Sequence, residues 1–591
     1  MDHCEATSEN GIFRKGDTRI SDLSGRKILP VGNDNFTTVV EDSVFIDKSL
    51  LIADILDSGS SVTLFCRPRR FGKSLNLSML QRFFEEPLPN DPLSVDTTPL
   101  FEGLRIWDTD DSRYREHHGA YPVVRFSFNG LKRTTPIDFL EGLESAVAAE
   151  FQRHSYLEES AALSSFERDL FARLAQGRAA AGEVSQSLLT LSRLLTKHHK
   201  SRTVILIDEY NAPIMAAYTH GYYSEAVDFL KSWLTGALKG NDSLAFACLT
   251  GVQRISKESI FSDLNNLTVN TSMSVTSDER YGFTQKEIEV LAEYLGHTEG
   301  VKEAKRWYDG YRFGAIDVYN PWSVLNYFRD HCTADVYWGN TSSNSVLATL
   351  LEQADEHTTE QLFALMQPGG AIEAPLDLSV VFPDIGTREE VLWSMLYLVG
   401  YLTTNDVELP NNKRLPRTLR IPNREIAELY RTEIVERYGQ LSGGPARLAA
   451  LHRSVIQGNA SQLEEELSSI LLRSASYCDL DRENSYHMLM LGLLMGIQGY
   501  EDPLSNREAG QGRFDILLTP CSEGKRPIIM EFKRAPRKQS SEKPLSSLAL
   551  RALEQIDARA YAAAVPSSRP APLCYGIAFC GKNVAVACSE A

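Results

Sequence analysis

A chain of 591 residues, 43% hydrophobic and 24% charged, has an ordinary globular make-up. At about 100–200 residues per domain it has length for three or four folded units. It holds no apolar run of about eighteen residues or more, which excludes a helix spanning a bilayer, and its net charge of −17 excludes an evenly basic nucleic-acid surface. The nine cysteines form no C-x-x-C pair, which argues against a structural zinc site and for a reducing compartment.

In chain order, residues 1–28 lack the apolar stretch of a secretory signal and read as a polar, mobile tail. From 29 to 275, β-branched or aromatic runs alternate with helical stretches, the pattern of an α/β sheet. The runs are "SVTLFC" (61–66), "YPVVRFSF" (121–128), "TVILID" (203–208) and "LAFACLTG" (244–251). Residues 276–334 are helical and rich in aromatics, a candidate lid. Residues 335–440 read as a helical or winged-helix-like connector with one hairpin, "YLTTNDVELPNNKRLPRTLRIP". Residues 445–591 begin helical and then show the strands "RFDILLTP", "PIIMEFKR" and "LCYGIAFCG" around a further helix. The stretch "RAPRKQSSEKPLSS" (534–547) reads as a loop.

The first chemical signal is "TLFCRPRRFGKSLNLSML" (63–80), a strand, a tight loop ending in Gly72-Lys73-Ser74, and a helix. Loop and helix N–H groups would face phosphate, Lys73 would neutralise terminal oxygens, and Ser74 would hold Mg2+. Arg67 stands where the first glycine of such a loop belongs, and Pro68 removes an N–H donor. Arg67, Arg69 and Arg70 compensate by offering forked donors at the mouth. A second signal follows in "TVILIDEYNAPI", whose Asp208 would hold Mg2+ and whose Glu209 would polarise the attacking water. Either motif alone is as readily a structural turn; both in order within one α/β segment point to a nucleotide site. Thr250 ends a further strand where a hydroxyl can sense the terminal phosphate. Arg254 reads equally as a phosphate ligand and as a solvated loop residue, and Asn265 and Asn266 equally as turn formers.

These runs, together with "LPVGNDNFTTVVEDSVFIDKSLLIADIL", "LTGVQRISKESIFSDLNNL" and "WYDGYRFG…VYNPWSVLNYF", resemble the AAA-ATPase-like family whose members carry a C-terminal PD-(D/E)XK nuclease-like domain. The resemblance implies an ASCE/AAA-like P-loop domain, in which Arg-Pro-Arg-Arg-Phe-Gly-Lys-Ser is the usual loop. Asp47 and Lys48 in "FIDKS" match the family pattern, which by itself assigns them neither to nucleotide nor away from it; the resemblance also implies a cytoplasmic protein.

In "GRFDILLTPCSEGKRPIIMEFKR", alternation puts Glu531 and Lys533 on one strand face and Phe532 on the other. If the two strands pair, Asp515 and Glu531 converge on Mg2+ or Mn2+, with Lys533 positioning or deprotonating water. The arrangement is similar to the PD-(D/E)XK nuclease core. That likeness implies a third acid from the preceding helix, for which Glu483 is the candidate, and a substrate-phosphate contact from Gln555, which with Tyr561 matches the family pattern. His487 reads better as a core-edge histidine than as a ligand, and Glu508 as a turn residue. The expectation is therefore an ATP-binding P-loop ATPase coupled to a metal-dependent nuclease acting on nucleic acid, DNA favoured, with no membrane partner. The alternatives are a nucleotide-dependent switch with a catalytically inactive C-terminal binding module and, more weakly, an oligomeric motor; self-association stays open.

Overall fold

The computed structural model describes residues 6–89, 96–109, 111–252, 264–339, 347, 356–378, 380, 389–406, 415–473, 483–505, 508–509, 512–535, 544–559, 561, 565–566 and 568–590. The chain divides into two compact units, Met1–Thr341 with Glu373–Glu425, and Ser342–Ile372 with Ile426–Ala591. Residues 335–440, expected as one connector, are shared between them. The expected hairpin forms within the first unit, where Thr403–Thr404 pairs antiparallel with Pro416–Arg420.

Residues 7–21 are not a mobile tail. They form strands β1 (Thr7–Glu9), β2 (Ile12–Lys15) and β3 (Thr18–Ser21), joined by two-residue turns and continued by β4 (Phe45–Ile46). Asn10 and Gly11 both have positive φ, 50° and 76°, which is the mirror-image turn that matches strand twist. The alternation buries Ile12 and Ile20, and Ile20 and Ile46 join a core with Ile288 and Tyr308.

The sheet that carries the nucleotide motif is five-stranded and parallel, in the order β6-β7-β8-β5-β9. Its members are β5 (Val62–Cys66), β6 (Val123–Ser127), β7 (Thr203–Asp208), β8 (Leu244–Gly251) and β9 (Leu267–Asn270). Every residue of β5 and β7 is buried, as continuous apolar runs in a two-sided parallel sheet require. Val62, Leu64, Ile205, Ile207 and Leu249 share one core with Trp233. Helix α1 (Lys73–Phe84) follows β5, and α2 (Pro136–Arg153) starts at a Thr135 cap with Pro136 in its first turn. The aromatic-rich segment adds β10 (Phe283–Thr284), α3 (Gln285–Leu295), β11 (Tyr311–Phe313), β12 (Ile316–Tyr319) and α4 (Pro321–Arg329). A Thr284–Glu287 capping box starts α3.

In the second unit, helix α5 (Glu483–Leu494) precedes a mixed sheet of β13 (Leu504–Ser505), β14 (Ile516–Leu518), β15 (Ile528–Arg534), β16 (Leu573–Cys580) and β17 (Asn583–Glu590), paired in that order. β15 and β16 run parallel and the other neighbours antiparallel. Helix α6 (Leu545–Ala558) supplies the crossover between β15 and β16. Among the described residues no helix is long and apolar enough to cross a membrane.

Candidate nucleotide and metal sites

Strand β5 delivers the chain into the loop, and α1 begins at Gly72, whose φ of 79° is the left-handed conformation that a glycine takes without cost. Lys73 is 4% exposed; its ammonium donates to the carbonyls of Arg67 (3.2 Å) and Pro68 (3.0 Å) and lies 3.3 Å from Glu209. The Ser74 hydroxyl donates to Asp208 Oδ2 at 2.6 Å. Because β8 lies between β5 and β7, Thr250 reaches the same carboxylate from the other side, donating to Oδ1 at 2.5 Å. Its hydroxyl also accepts from the Glu209 N–H at 3.2 Å. Glu209 sits at φ 51°, a strained position of the kind that collects at functional sites. Burial raises the proton affinity of Asp208, with the Ser74 and Thr250 hydroxyls opposing that rise. Hydroxyl and carboxylate oxygens side by side are a donor set suited to a hard divalent cation.

Arg67 does not crowd the mouth. It is fully buried, donating to the carbonyls of Cys66 and Asn270 and to Asn270 Oδ1, with its guanidinium stacked over Tyr281 (5.0 Å) and Phe313 (5.2 Å). Buried charge must be met by fixed acceptors, and here backbone and amide oxygens supply them, so Arg67 is a structural tie. Arg70 stays at the surface, and Arg69 is half-buried beside it. Asp47 accepts from the N–H groups of Ser49 and Arg105, while Lys48 pairs with Glu287 and donates to the Glu279 carbonyl. Both anchor chain segments. Asn265 lies in the turn before β9, Asn266 donates to the Leu238 carbonyl, and Arg254 falls outside the described residues.

In the second unit, Ile516 pairs with Met530 across β14 and β15, which sets Asp515 beside Glu531. Asp515 Oδ2 accepts from the Phe532 N–H at 2.6 Å. Glu531 is 3% exposed; its Oε1 accepts from Lys533 (3.2 Å) and from the Gln555 amide on α6. Its Oε2 is buried and has no partner among the described residues. Burial, then the neighbouring charge of Asp515, pushes Glu531 up to about 7 against the pull of Lys533, and burial also raises Asp515. Two crowded carboxylates with an orphaned oxygen fit a divalent cation, which would relieve both penalties. Asp515, Glu531, Lys533 and Gln555 are thus brought together, and Phe532 is turned into the core.

Glu483 opens α5, but its side chain is outside the described residues, and among those described no three His, Cys, Asp or Glu side chains converge on one point. Glu508 lies in a short strand paired with Gly512–Arg513, its side chain likewise undescribed. The His487 ring is buried against Phe532 and bonded to the Ser505 hydroxyl at 3.0 Å, a core-edge histidine. Tyr561 is buried beside Phe514. Sequence reasoning missed Asn270 and the aromatic partners of the loop arginines. The available signal was an arginine-rich loop in a chain whose next segment is loaded with Tyr, Phe and Trp.

A family model described as a predicted AAA-ATPase matches residues 30–261, and one described as the PD-(D/E)XK nuclease superfamily matches residues 481–588. A protein of Azotobacter chroococcum mcd 1, called an uncharacterized protein in the vnfD 5' region, is 29% identical over 429 residues, covering 70% of this chain and 71% of its own. No solved structure matches the chain. Two acid–base clusters, each inside the segment that one of these models covers, sit where both matches fall: the chain carries an AAA-ATPase-like domain and a PD-(D/E)XK nuclease-superfamily domain.

Proposed function

We propose that the protein binds and hydrolyses ATP in its first unit and cleaves nucleic acid, DNA in preference, in its second. The observation that carries the nuclease reading is the buried Oε2 of Glu531, without a partner among the described residues, on a carboxylate that lies beside Asp515 and is bonded to Lys533 through Oε1. A carboxylate kept that costly to ionise needs a compensating charge, and Asp515 and Glu531 would hold Mg2+ or Mn2+ there. When bound, the cation supplies an acidified water and stabilises charge on the phosphate. Lys533 orients that water or takes its proton, and Gln555, already bonded to Glu531, fixes the carboxylate and faces substrate phosphate.

In the first unit, Ser74 and Asp208 would hold Mg2+, Lys73 would leave the loop carbonyls for the terminal phosphate oxygens, and Glu209 would polarise water. Thr250 holds Asp208 and the Glu209 backbone in register. Buried thiols at Cys66, Cys248, Cys574 and Cys580 support a reducing, cytoplasmic setting.

The test is a cleavage assay of the full chain on single- and double-stranded DNA and RNA, with Mg2+ or Mn2+, with and without ATP. Metal-dependent DNA cleavage, lost in Lys533→Ala and in Asp515→Asn, is expected. Intact substrate under every condition would refute the nuclease reading and leave a nucleotide-dependent switch with a binding module.

A further inference from the structure

The Arg70 guanidinium lies 3.9 Å from the ring centre of Trp322, the second residue of α4 and part of the run "VYNPWSVLNYF", which the nucleotide reading leaves unexplained. The ring is held firmly. Its indole N–H donates to the Tyr337 carbonyl at 3.1 Å, and Gly32, at φ 78°, packs its backbone against the ring, so that a Cβ there would meet it at 3.5 Å. Helix α4 is fixed in turn by Asn320, whose side chain accepts from the Ser323 N–H at 3.2 Å, and by Pro321 in the first turn.

Arg70 is itself unusual, a non-glycine residue at φ 70°, a conformation that the loop imposes on it. A guanidinium stacked on an aromatic ring spends one face and keeps its N–H donors in the plane, directed outward. Arg67 shows the contrast. It stacks on Tyr281 and Phe313, but both of its Nη groups are spent on Cys66 and Asn270 in the interior. Arg70 is exposed and makes no side-chain hydrogen bond or ion pair among the described residues. The loop also lacks one backbone donor, because Pro68 has no N–H.

We propose that Trp322 is a positioning residue, an aromatic platform that presents the donor edge of Arg70 to the terminal phosphates of a bound nucleoside triphosphate. The inference rests on the reading of this loop as the triphosphate site. The stack makes up for the missing loop donor with a planar fork that is already ordered before binding, so little freedom is lost when phosphate arrives.

Isothermal titration of the full chain with AMP-PNP and Mg2+ tests it. Trp322→Phe and Trp322→Leu both lose the indole N–H, and only the first keeps a ring face. Trp322→Leu and Arg70→Ala are each expected to weaken binding roughly three- to thirty-fold, with Trp322→Phe within about threefold of the parent. The double variant Arg70→Ala/Trp322→Leu is expected to bind no worse than the weaker single. Equal losses for Phe and Leu, or losses that multiply in the double variant, overturn the proposal. Arg70→Lys, which keeps charge without the planar fork, is expected to bind as poorly as Arg70→Ala; full retention by lysine overturns the proposal even if Trp322→Leu does not fold. A parent protein that fails to bind AMP-PNP overturns the triphosphate site itself, whereas normal parent binding with an unaffected Trp322→Leu overturns the platform alone.

Discussion

Glu425 and Glu531 both have their proton affinity pushed up to about 7, and burial is the leading cause in each. Their surroundings differ. Among the described residues Glu531 faces a second carboxylate and leaves one oxygen unpartnered, whereas Glu425 accepts from the Ser323 hydroxyl and the Trp338 N–H, each at 2.7 Å. Glu425 is therefore a structural acid, and its titration should appear in stability. Between its ordinary value of 4.5 and about 7, the folded chain keeps a proton that the unfolded chain releases. Stability must then fall as pH rises across that window and level off above it. A shift of this size corresponds to an order of 3 kcal/mol, and Glu425→Gln, which stays uncharged, should remove it. Urea unfolding of the first unit at pH 5 and pH 8 should show the parent losing about 2–3 kcal/mol more than Glu425→Gln between the two. An identical pH dependence in both proteins would show that Glu425 ionises freely in the fold. Nothing in the sequence around "IPNREIAELY" marks this residue, because its burial depends on Ser323 and Trp338, distant in the chain.

Among elements, the strands of the parallel sheet were legible where they are central: β5, β7 and β8 are long, apolar runs that suit burial on both faces. β9 was not, because a four-residue edge strand with half-exposed side chains carries too little apolar signal. The N-terminal hairpins were missed for another reason. Asn10-Gly11 is a strong turn signal, but the strands beside it are only three and four residues long and mostly polar. The other edge, β6, shows how α2 covers exposed backbone. Glu150 accepts from the Arg125 N–H at 2.8 Å, and Arg153 donates to the Val123 carbonyl at 2.5 Å, so an ion pair takes the place of a sixth strand. Although burial alone would raise it, Glu150 is held down to about 2 by Arg153 and His154. Glu150→Ala would leave the Arg125 N–H without its acceptor and Arg153 with Glu85 as its remaining carboxylate partner, and denaturant unfolding should show a loss of about 2–3 kcal/mol. Arg153→Met should cost more than that change, since it leaves both Glu150 and Glu85 without their counter-charge. A single variant within about 1 kcal/mol of the parent would mean that the edge is guarded by something else.

For the whole molecule, the two units draw on alternating stretches of chain, with breaks after Thr341, Ile372 and Glu425. Periodicity reports which face of a helix is apolar but not which core receives it, so residues 335–440 read as one connector when they serve two cores. The two candidate clusters, by contrast, were legible because each is assembled from short local motifs, a loop with its helix and two strand ends in the first and a strand pair with its lysine in the second. Each site also lies wholly within one unit, Lys73, Ser74, Asp208 and Thr250 in the first and Asp515, Glu531, Lys533 and Gln555 in the second. A ligand stabilises only the unit that folds to bind it, by about 2.7 kcal/mol at a hundredfold excess over its dissociation constant. Hydrogen exchange of the full chain can read the two contributions separately, because β7 and β15 report on different units. AMP-PNP with Mg2+ should slow exchange in residues 203–208 and leave 528–534 unchanged, and Lys73→Ala should cancel that effect. Mn2+ alone should slow exchange in 528–534, and Asp515→Asn should cancel that effect without disturbing the response to nucleotide. Protection of both strands by either ligand would instead mean that the units open as one body.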